Sequence, residues 1–277
     1  MEQHGENQPT DHVIAVIPAR YASTRLPGKM LLSIAGKPLV LHTAERASES
    51  TLVNNVMIAA DDQRIIDVAI AAGFDAVLTS EKHSSGSDRI AEVAETLPDG
   101  SIIVNIQGDE PVISPAAIDV AIKAMVDDPD ADIVTICEPI IDKRDVLDPN
   151  IVKAVVDEKG YAVYFSRSPV PFPRDAALRH GGDIVSALTK EPELVKEFHK
   201  HVGLYVYRRE FLLLFTRMPQ STLEKTEMLE QLRALENGAK IRVVNVVSRS
   251  IGVDTADDLE LVRAILEAEQ DIHDIVK

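Results

Sequence analysis

The sequence has 277 residues and a formal net charge of −16, with 27% charged and 45% hydrophobic residues. These values are typical of a globular protein with a substantial core. The acidic balance argues against nucleic acid or an anionic membrane as the main partner, because both favour a basic surface. No apolar run is long enough to span a membrane. A lone Cys137, in the apolar stretch DIVTICEPI, excludes an internal disulfide framework and indicates a small buried strand residue in a reducing compartment.

The polar segment 1–12 lacks the order of a signal peptide, so we expect a disordered leader or a cloning remnant, and a cytoplasmic protein. Strand-like and helix-like patterns then alternate. Strands are predicted at 13–17, 55–60, 75–79, 101–106 and 132–137. Helices are predicted to begin near Pro38 and after Asp61 or Asp62, and to span about 87–95 and 115–127. This rhythm predicts a mostly parallel sheet with right-handed crossovers in an α/β fold.

The rhythm changes after residue 150. IVKAVVDEKGYAVYFSR predicts a hairpin that turns at 158–160. Residues 168–198, rich in proline and charge, predict a loop with one short helix near 192–198. Four later stretches predict a strand passing into a helix (HVGLYVYRREFLLLF), a helix (TEMLEQLRALENG), a strand (IRVVNVV) and a final amphipathic helix (TADDLELVRAILEAE) opened by a capping box of Thr255 and Asp258.

A basic loop follows the first predicted strand. IPARYASTRLPGK, residues 17–29, carries Arg20, Arg25 and Lys29 and no acidic residue. Ligands of open α/β sheets bind beyond the carboxyl ends of the strands, so this charge should face the binding crevice. The loop is neither a Walker A nor a G-x-G-x-x-G motif, yet three cations and Gly28 can grip a polyphosphate. The alternative is a solvated loop that offsets the acidic surface.

Two acids are placed to face this loop. Asp109, in VNIQGDEPVIS, follows a predicted buried strand and suits Mg²⁺, although Asp109 and Glu110 can also be read as turn residues before Pro111. Asp254 precedes the cap of the last helix and has no local role there. We therefore expect both acids to hold Mg²⁺ on the far side of a triphosphate, and not to act as salt-bridge partners of the loop.

Six motifs together resemble a known family. IPARYASTRLPGK, NIQGDEP, AVYFSR, HVGLYVYR, EMLEQLR and GVDTADDLE occur in the order and approximate spacing of 3-deoxy-manno-octulosonate (Kdo) cytidylyltransferases, also called CMP-Kdo synthetases, and span residues 13–263. The first motif is shared more loosely by many sugar nucleotidyltransferases, whereas FSR, HVGLY and EMLEQLR are specific to Kdo activation. The resemblance implies a three-layer, Rossmann-like nucleotidyltransferase fold in one domain. That domain, 13–277, would comprise a CTP-binding core (13–140), a β-rich sugar-binding and dimerisation extension (about 150–210) and a return to the core (211–277).

The same resemblance implies that the sugar's anomeric hydroxyl attacks the α-phosphate of CTP, giving CMP-Kdo and pyrophosphate. It also implies a homodimer and a place in lipopolysaccharide biosynthesis. The catalytic set implied is Arg20, Arg25, Lys29 and Asp109, with Mg²⁺ held by Asp109 and Asp254. The implied nucleotide-binding residues are Ala19, Arg20, Arg25, Lys29, His83, Ser85, Gly86 and Gln107. The implied sugar-binding residues are Arg167, His201, Tyr205, Glu230 and Gln231. His201 and Tyr205 are four residues apart and would share a face of an extended strand. Each assignment also has a plainer interpretation: His201 as a structural histidine, Tyr205 as a core aromatic, Glu230 as a solvated helix residue and Ser85 as a helix cap.

The sequence departs from the family at three places. Ser87-Asp88 stands where Thr-Glu is expected, Met30 replaces a proline, and the 168–198 loop is longer. Three other functions stay open. One is a cytidylyltransferase for 8-amino-Kdo or a nonulosonate. Another is a glycosyltransferase, which typically carries a DxD-like metal motif. The third is a nucleotide-sensing module, which would need no paired metal acids.

Overall fold

A computed structural model of the chain describes residues 12–23, 26–248 and 250–276, with side chains to Asp271. The predicted leader, apart from His12, and Arg25 lie outside the described residues. The strands are β1 (Val13–Ala19), β2 (Ser33–Ile34), β3 (Lys37–Pro38), β4 (Asn55–Ala60), β5 (Asp75–Leu78), β6 (Ile102–Asn105), β7 (Ile133–Pro139), β8 (Lys153–Val156), β9 (Ala162–Ser166), β10 (His199–Arg208) and β11 (Ile241–Asn245). The helices are α1 (Leu39–Ser48), α2 (Gln63–Ala71), α3 (Gly86–Ala94), α4 (Pro115–Asp127), α5 (Lys143–Leu147), α6 (Arg174–Arg179), α7 (Ile184–Lys190), α8 (Arg209–Phe215), α9 (Thr222–Glu227), α10 (Gln231–Glu236) and α11 (Ala256–Val276), with 3₁₀ turns at Lys29–Leu31 and Pro192–Glu197.

The main sheet has the strand order β11-β7-β10-β6-β1-β4-β5. β1 pairs in parallel with β4 and β6, β4 with β5, and β7 with β11. β10 runs antiparallel between β6 and β7, and the β8–β9 hairpin joins it where Lys200 faces Lys153. Because β10 runs the opposite way, its first residues lie at the edge where β1, β6 and β7 end.

Helices cover both faces of this sheet. α1, α2 and α4 contact one face, and α3, α8 and α10 lie on the other. All seven residues of β1 are buried, as a strand covered on both faces requires. The described chain is therefore a three-layer α/β fold with a mostly parallel sheet, which confirms the predicted fold class. Among the described residues, no helix has the length and apolar character needed to cross a membrane.

Helix starts follow the predicted local signals. The Asp62 carboxylate accepts a hydrogen bond from the Arg64 backbone N–H (2.9 Å) and caps α2. Thr255 and Asp258 exchange the two bonds of a capping box, since Thr255 Oγ1 accepts from the Asp258 N–H (3.2 Å) and the Asp258 carboxylate accepts from the Thr255 N–H (2.8 Å). These contacts fix where the last helix begins, immediately after Asp254.

The prediction of one continuous helix over TEMLEQLRALENG was wrong. The chain breaks at Met228, which has φ 54° in the left-handed region, and α10 restarts at Gln231. The Arg167 guanidinium donates hydrogen bonds to the carbonyls of Glu227 (2.6 Å) and Met228 (3.3 Å), and the Glu227 carboxylate accepts from Ser166 Oγ (2.7 Å). These tertiary contacts offset the roughly 1–2 kcal/mol that a left-handed residue costs, and they override the helical spacing.

The loop predicted at 168–198 contains more helix than expected. The short turn near 192–198 is present, but α6 and α7 precede it. A small apolar cluster that includes Val146, Leu188 and Phe198 packs α7 and the 3₁₀ turn against α5, and α6 contacts α7. Short helices of this kind depend on such packing, which local sequence periodicity does not reveal.

Candidate active site

A pocket of about 400 Å³ opens where the loops after β1 and β6, the start of α3 and the segment before α11 meet. It lies beyond the carboxyl ends of β1 and β6, where ligands of open α/β sheets bind. Its lining residues are Pro18, Arg20, Ala22, Ser23, Lys29, Met30, Ser84, Ser85, Gly86, Gln107, Gly108, Asp109 and Asp254. The pocket thus gathers most of the side chains that the sequence assigned to nucleotide and metal binding.

Lys29 is the central cation of this pocket. Gly28, with φ +66°, turns the loop in a conformation that favours glycine, and Lys29 begins the 3₁₀ turn that follows. The Lys29 ammonium forms an ion pair with Asp109, donates to the Val253 carbonyl (2.9 Å) and lies 3.4 Å from Asp254 Oδ1. The expectation that the acids form no salt bridge with the loop was therefore wrong.

A backbone contact explains how the two acids meet. The Val253 N–H donates to the Asp109 carbonyl (2.9 Å), so the segment before α11 is fastened to the loop after β6. The Asp254 N–H donates to the Asp258 carboxylate (3.1 Å), which fixes this residue beside the helix cap. The two carboxylates consequently share the Lys29 ammonium, although they are 145 residues apart in sequence.

This donor set is compatible with Mg²⁺. Within the described part of the chain, no group of three or more His, Cys, Asp or Glu side chains could hold a metal ion by itself. Mg²⁺ is commonly bound through one or two carboxylates together with substrate phosphates, and the Asp109–Asp254 pair meets that requirement. Next to the pair, burial and then the charge of Asp109 raise the pKa of Glu110 to about 8. The Glu110 N–H donates to the Gln107 carbonyl (3.1 Å), so the two acids do lie in a turn before Pro111, and Glu110 Oε2 is buried behind the acid pair.

Arg20 and the start of α3 add anion-binding groups. Arg20 Nη2 is buried and has no hydrogen-bond partner among the described residues, a costly arrangement that a phosphate oxygen would relieve. Ser85 caps α3 in a capping box with Asp88, so the plainer interpretation of Ser85 as a helix cap is confirmed. The cap leaves the partially positive end of a nine-residue helix at Gly86 facing the pocket.

Two residues predicted to bind nucleotide, Ala19 and His83, do not line the pocket. Ala19 is the fully buried last residue of β1. The His83 ring contacts the Glu92 carboxylate and is absent from the pocket lining. Neither position tests a contact with nucleotide, and both assignments stay predictions.

The sugar-side residues His201 and Tyr205 lie on β10. The His201 ring centroid is 5.0 Å from that of Phe165 and 5.3 Å from that of Tyr205, so both rings lie on one face, as their spacing predicts. His201 Nε2 lies 2.9 Å from Thr135 Oγ1, and burial lowers the pKa of His201 to about 3. Burial also raises the pKa of Tyr205 well above its ordinary value. Both rings are therefore neutral hydrogen-bonding groups at neutral pH.

Gln107 connects the pocket to β10. Its Nε2 donates to Asn105 Oδ1 (2.9 Å). A Cβ added to Gly86 would lie 3.7 Å from Gln107 Oε1, and one added to Gly203 would lie 3.6 Å from Gln107 Cγ. Its side chain thus lies between the start of α3 and the first half of β10. Gln107 is placed to contact ligands on either side.

The remaining sugar-side residues lie around the α9–α10 break. The Arg167 guanidinium is bonded to the carbonyls of Glu227, Met228 and Pro149. Gln231 is buried at the start of α10, next to Glu230. None of these contacts tests sugar binding, and the assignments stay predictions.

Some polar residues that support the site are not evident from the sequence patterns. Asn105 is buried inside the apolar strand IIVN, and Lys153 is buried while its ammonium donates to the carbonyls of Asp148, Ile151 and Arg167. Each is the one polar residue of a short apolar strand, β6 for Asn105 and β8 for Lys153. That pattern could have identified them, because a buried amide or ammonium needs specific hydrogen-bond partners. Ser87, buried at the start of α3, is noted in the sequence only as a departure from the family.

The comparisons with known proteins agree with one another. A family model described as cytidylyltransferase matches residues 14–241. A 3-deoxy-manno-octulosonate cytidylyltransferase of Geobacter sulfurreducens is 50% identical over 251 residues, covering 91% of this chain and 98% of the relative. Its namesake in Solibacter usitatus is 48% identical over 256 residues, covering 92% and 95%. A solved structure of CMP:2-keto-3-deoxy-manno-octonic acid synthetase complexed with CTP has a TM-score of 0.83 at 40% identity, covering 94% of this chain and all of that one.

Proposed function

The chain belongs to the family of 3-deoxy-manno-octulosonate cytidylyltransferases, and on that premise we propose that it transfers CMP from CTP to the anomeric hydroxyl of Kdo and releases pyrophosphate. The observation that carries this proposal is the convergence of a basic loop, a helix start and two acids in one pocket. Transfer of a nucleotidyl group requires a protein mainly to position the reactants and neutralise charge, and this pocket has the groups for both tasks.

The cations hold the triphosphate. Arg20 has a buried Nη2 without a hydrogen-bond partner in the described part of the chain, and the Lys29 side chain is only 10% exposed. Both charges therefore act where water screens them little. The start of α3 adds backbone N–H groups at Gly86. We assign Arg25 to the same clamp on its place in the loop motif.

Asp109 and Asp254 would hold Mg²⁺. When bound, the ion would neutralise phosphate charge and ease deprotonation of the attacking hydroxyl. The chain's own contribution is to fix both carboxylates, through the Val253–Asp109 backbone bond and the α11 cap, and to keep Lys29 next to them.

The sugar would lie against β10. His201 and Tyr205 are neutral, so they offer hydrogen bonds to hydroxyls without adding charge. Gln107, between the pocket and β10, and Gln231 supply amides for the same purpose, and we place Glu230 with them on the EMLEQLR motif. Arg167 supplies positive charge for the sugar carboxylate. We further propose a cytoplasmic homodimer that serves lipopolysaccharide biosynthesis, with residues of about 150–210 in the dimer contact; the motif resemblance supports these assignments.

A substrate panel tests the activity. Pyrophosphate release from CTP is measured with Kdo, 8-amino-Kdo and N-acetylneuraminate at equal concentrations. Kdo should give the highest rate. Equal or faster release with N-acetylneuraminate would contradict the assignment, and a faster rate with 8-amino-Kdo would move it to that analogue.

The metal assignment has its own test. Asp109→Asn and Asp254→Asn should each nearly abolish turnover in Mg²⁺ while the far-UV circular dichroism spectrum stays unchanged, because each amide keeps the shape but removes a charged oxygen ligand. Asp257→Asn, a neighbouring acid in the first turn of α11, serves as the matched control. Full activity in either test variant would remove that residue from the metal site.

A further inference from the structure

Glu230 makes contacts that a sugar ligand would not need. Its carboxylate accepts hydrogen bonds from Ser85 Oγ (3.1 Å), Ser87 Oγ (2.9 Å) and the Arg233 guanidinium (2.8 Å). A carboxylate offers about four acceptor positions. Three of them are therefore already used by the protein.

These three donors belong to two different parts of the site. Ser85 caps α3 and Ser87 lies in its first turn, and the start of this helix lines the nucleotide pocket. Glu230 immediately precedes α10, whose first turn carries Arg233 and the buried Gln231. Glu230 thus joins the nucleotide side of the site to its sugar side.

The surroundings make these bonds strong. Ser87 and Arg233 are 3% and 6% exposed, and the Arg233 guanidinium lies 4.5 Å over the Phe215 ring and 3.3 Å from the Glu224 carboxylate. Hydrogen bonds to an ionised group in such a site are worth more than those in water. Glu230 itself is 29% exposed, so removing it leaves the buried Ser87 and Arg233, more than Ser85, without a partner.

We infer that Glu230 is a positioning residue for CTP: through Ser85 and Ser87 it fixes the start of α3 against α10, and it thereby couples the nucleotide pocket to the sugar side. This inference rests on the proposed function. The positioning role is additional to the sugar-side assignment of Glu230, which Gln231 shares.

The experiment is a double-mutant cycle on CTP binding, measured by isothermal titration calorimetry with MgCl₂ and without Kdo. Glu230→Gln removes the charge that the two serines and Arg233 share, and Ser87→Ala removes one donor. We expect Glu230→Gln to weaken CTP binding about tenfold or more, because a lost hydrogen bond to a charged group is worth roughly that factor. The double variant Ser87→Ala/Glu230→Gln should bind no more weakly than Glu230→Gln alone.

Ser84→Ala is the matched control, because Ser84 Oγ bonds to Asp88 (2.7 Å) and not to Glu230. Its effect should add to that of Glu230→Gln. Steady-state kinetics give a second readout: Glu230→Gln should raise the KM for CTP at least as much as the KM for Kdo.

The outcomes separate cleanly. If Glu230 contacts only the sugar, Glu230→Gln keeps the CTP Kd within about twofold and raises the KM for Kdo alone, which overturns the inference. Additive effects of Ser87→Ala and Glu230→Gln overturn it as well. If Glu230→Gln does not fold, Ser87→Ala alone must weaken CTP binding more than Ser84→Ala does. A wild-type protein that binds no CTP refutes the proposed function instead.

Discussion

Lys29→Met tests whether one ammonium and a metal ion compete for the same two carboxylates. Methionine is an unbranched side chain one atom shorter than lysine, and it carries no charge. The substitution deletes the ion pair with Asp109, the weaker one with Asp254 and the bond to the Val253 carbonyl. Breaking a buried pair costs about 3–5 kcal/mol, but Asp109 and Asp254 are 25% and 52% exposed, so we expect a loss of about 2 kcal/mol in unfolding free energy.

Mg²⁺ should then stabilise the variant more than the wild type. The substitution removes one positive charge from beside the two carboxylates, which favours binding of another cation there. A cation that binds only the folded chain stabilises it by about 1.4 kcal/mol at ten times its Kd. The assay is urea unfolding at 0 and 10 mM MgCl₂, with NaCl added to equal ionic strength and no substrate present. Lys29→Met/Asp109→Asn is the control and should lose the extra gain. An equal Mg²⁺ effect in wild type, single and double variants would refute the reasoning.

Two further substitutions test the surroundings of the site. Burial lowers the pKa of His201 to about 3. Below about pH 6.5 the unfolded chain therefore binds a proton that the folded chain does not, and the free energy of unfolding decreases as the pH is lowered. His201→Gln should therefore remove about 2 kcal/mol of the stability loss between pH 7 and pH 5, measured by urea unfolding, and parallel pH curves for variant and wild type would contradict this. In Gly108→Ala, the added methyl group would lie 3.0 Å from Met30 Sδ and 3.1 Å from the Pro18 carbonyl oxygen, so the unfolding free energy should decrease by about 1–3 kcal/mol. Gly203→Ala should decrease it less, because its methyl group would meet Gln107 Cγ at 3.6 Å. Equal decreases in the two variants would contradict the packing argument.

The sheet was largely predictable, because its signals are local. Apolar runs predicted β1, β4, β5, β6 and β7 to within two residues, whereas the two-residue strands β2 and β3 were not predicted. Asp62 and Thr255 marked the starts of α2 and α11. The strand HVGLYVYR was predicted as well, but not its place. Only pairing with β6 on one side and β7 on the other shows that it runs antiparallel inside a sheet of mostly parallel strands.

The sequence predicted which residues line the site better than it predicted which of them contact one another. Arg20, Lys29, Asp109 and Asp254 do line one pocket. That Lys29 bonds directly to both acids depends on the Val253–Asp109 backbone bond, which joins segments far apart in sequence. A sequence pattern identifies charged residues, but it does not show which opposite charges share a hydrogen bond.

Met30 shows how tertiary packing decides a departure from the family. Its side chain is buried in the core between β1 and α1, and its sulfur lies 3.0 Å from where a Cβ on Gly108 would be. Met30 therefore seals the floor of the pocket between the basic loop and the Asp109 loop. A flexible thioether can fill such an irregular gap, and this gives a physical reason why proline is not required there.

The reversed direction of β10 gives the site its two sides. A parallel strand in this place would present its last residues at the edge where β1 and β6 end. Because β10 is antiparallel, it presents its first residues instead, so Gly203 lies next to Gln107 and His201 precedes it on the same strand. The chain can then bring the sugar-side hairpin, which joins β10 at Lys200, to the same edge as the nucleotide loops. The position of the acid pair at this edge follows from the sheet, and the position of the sugar-side rings follows from the inserted strand.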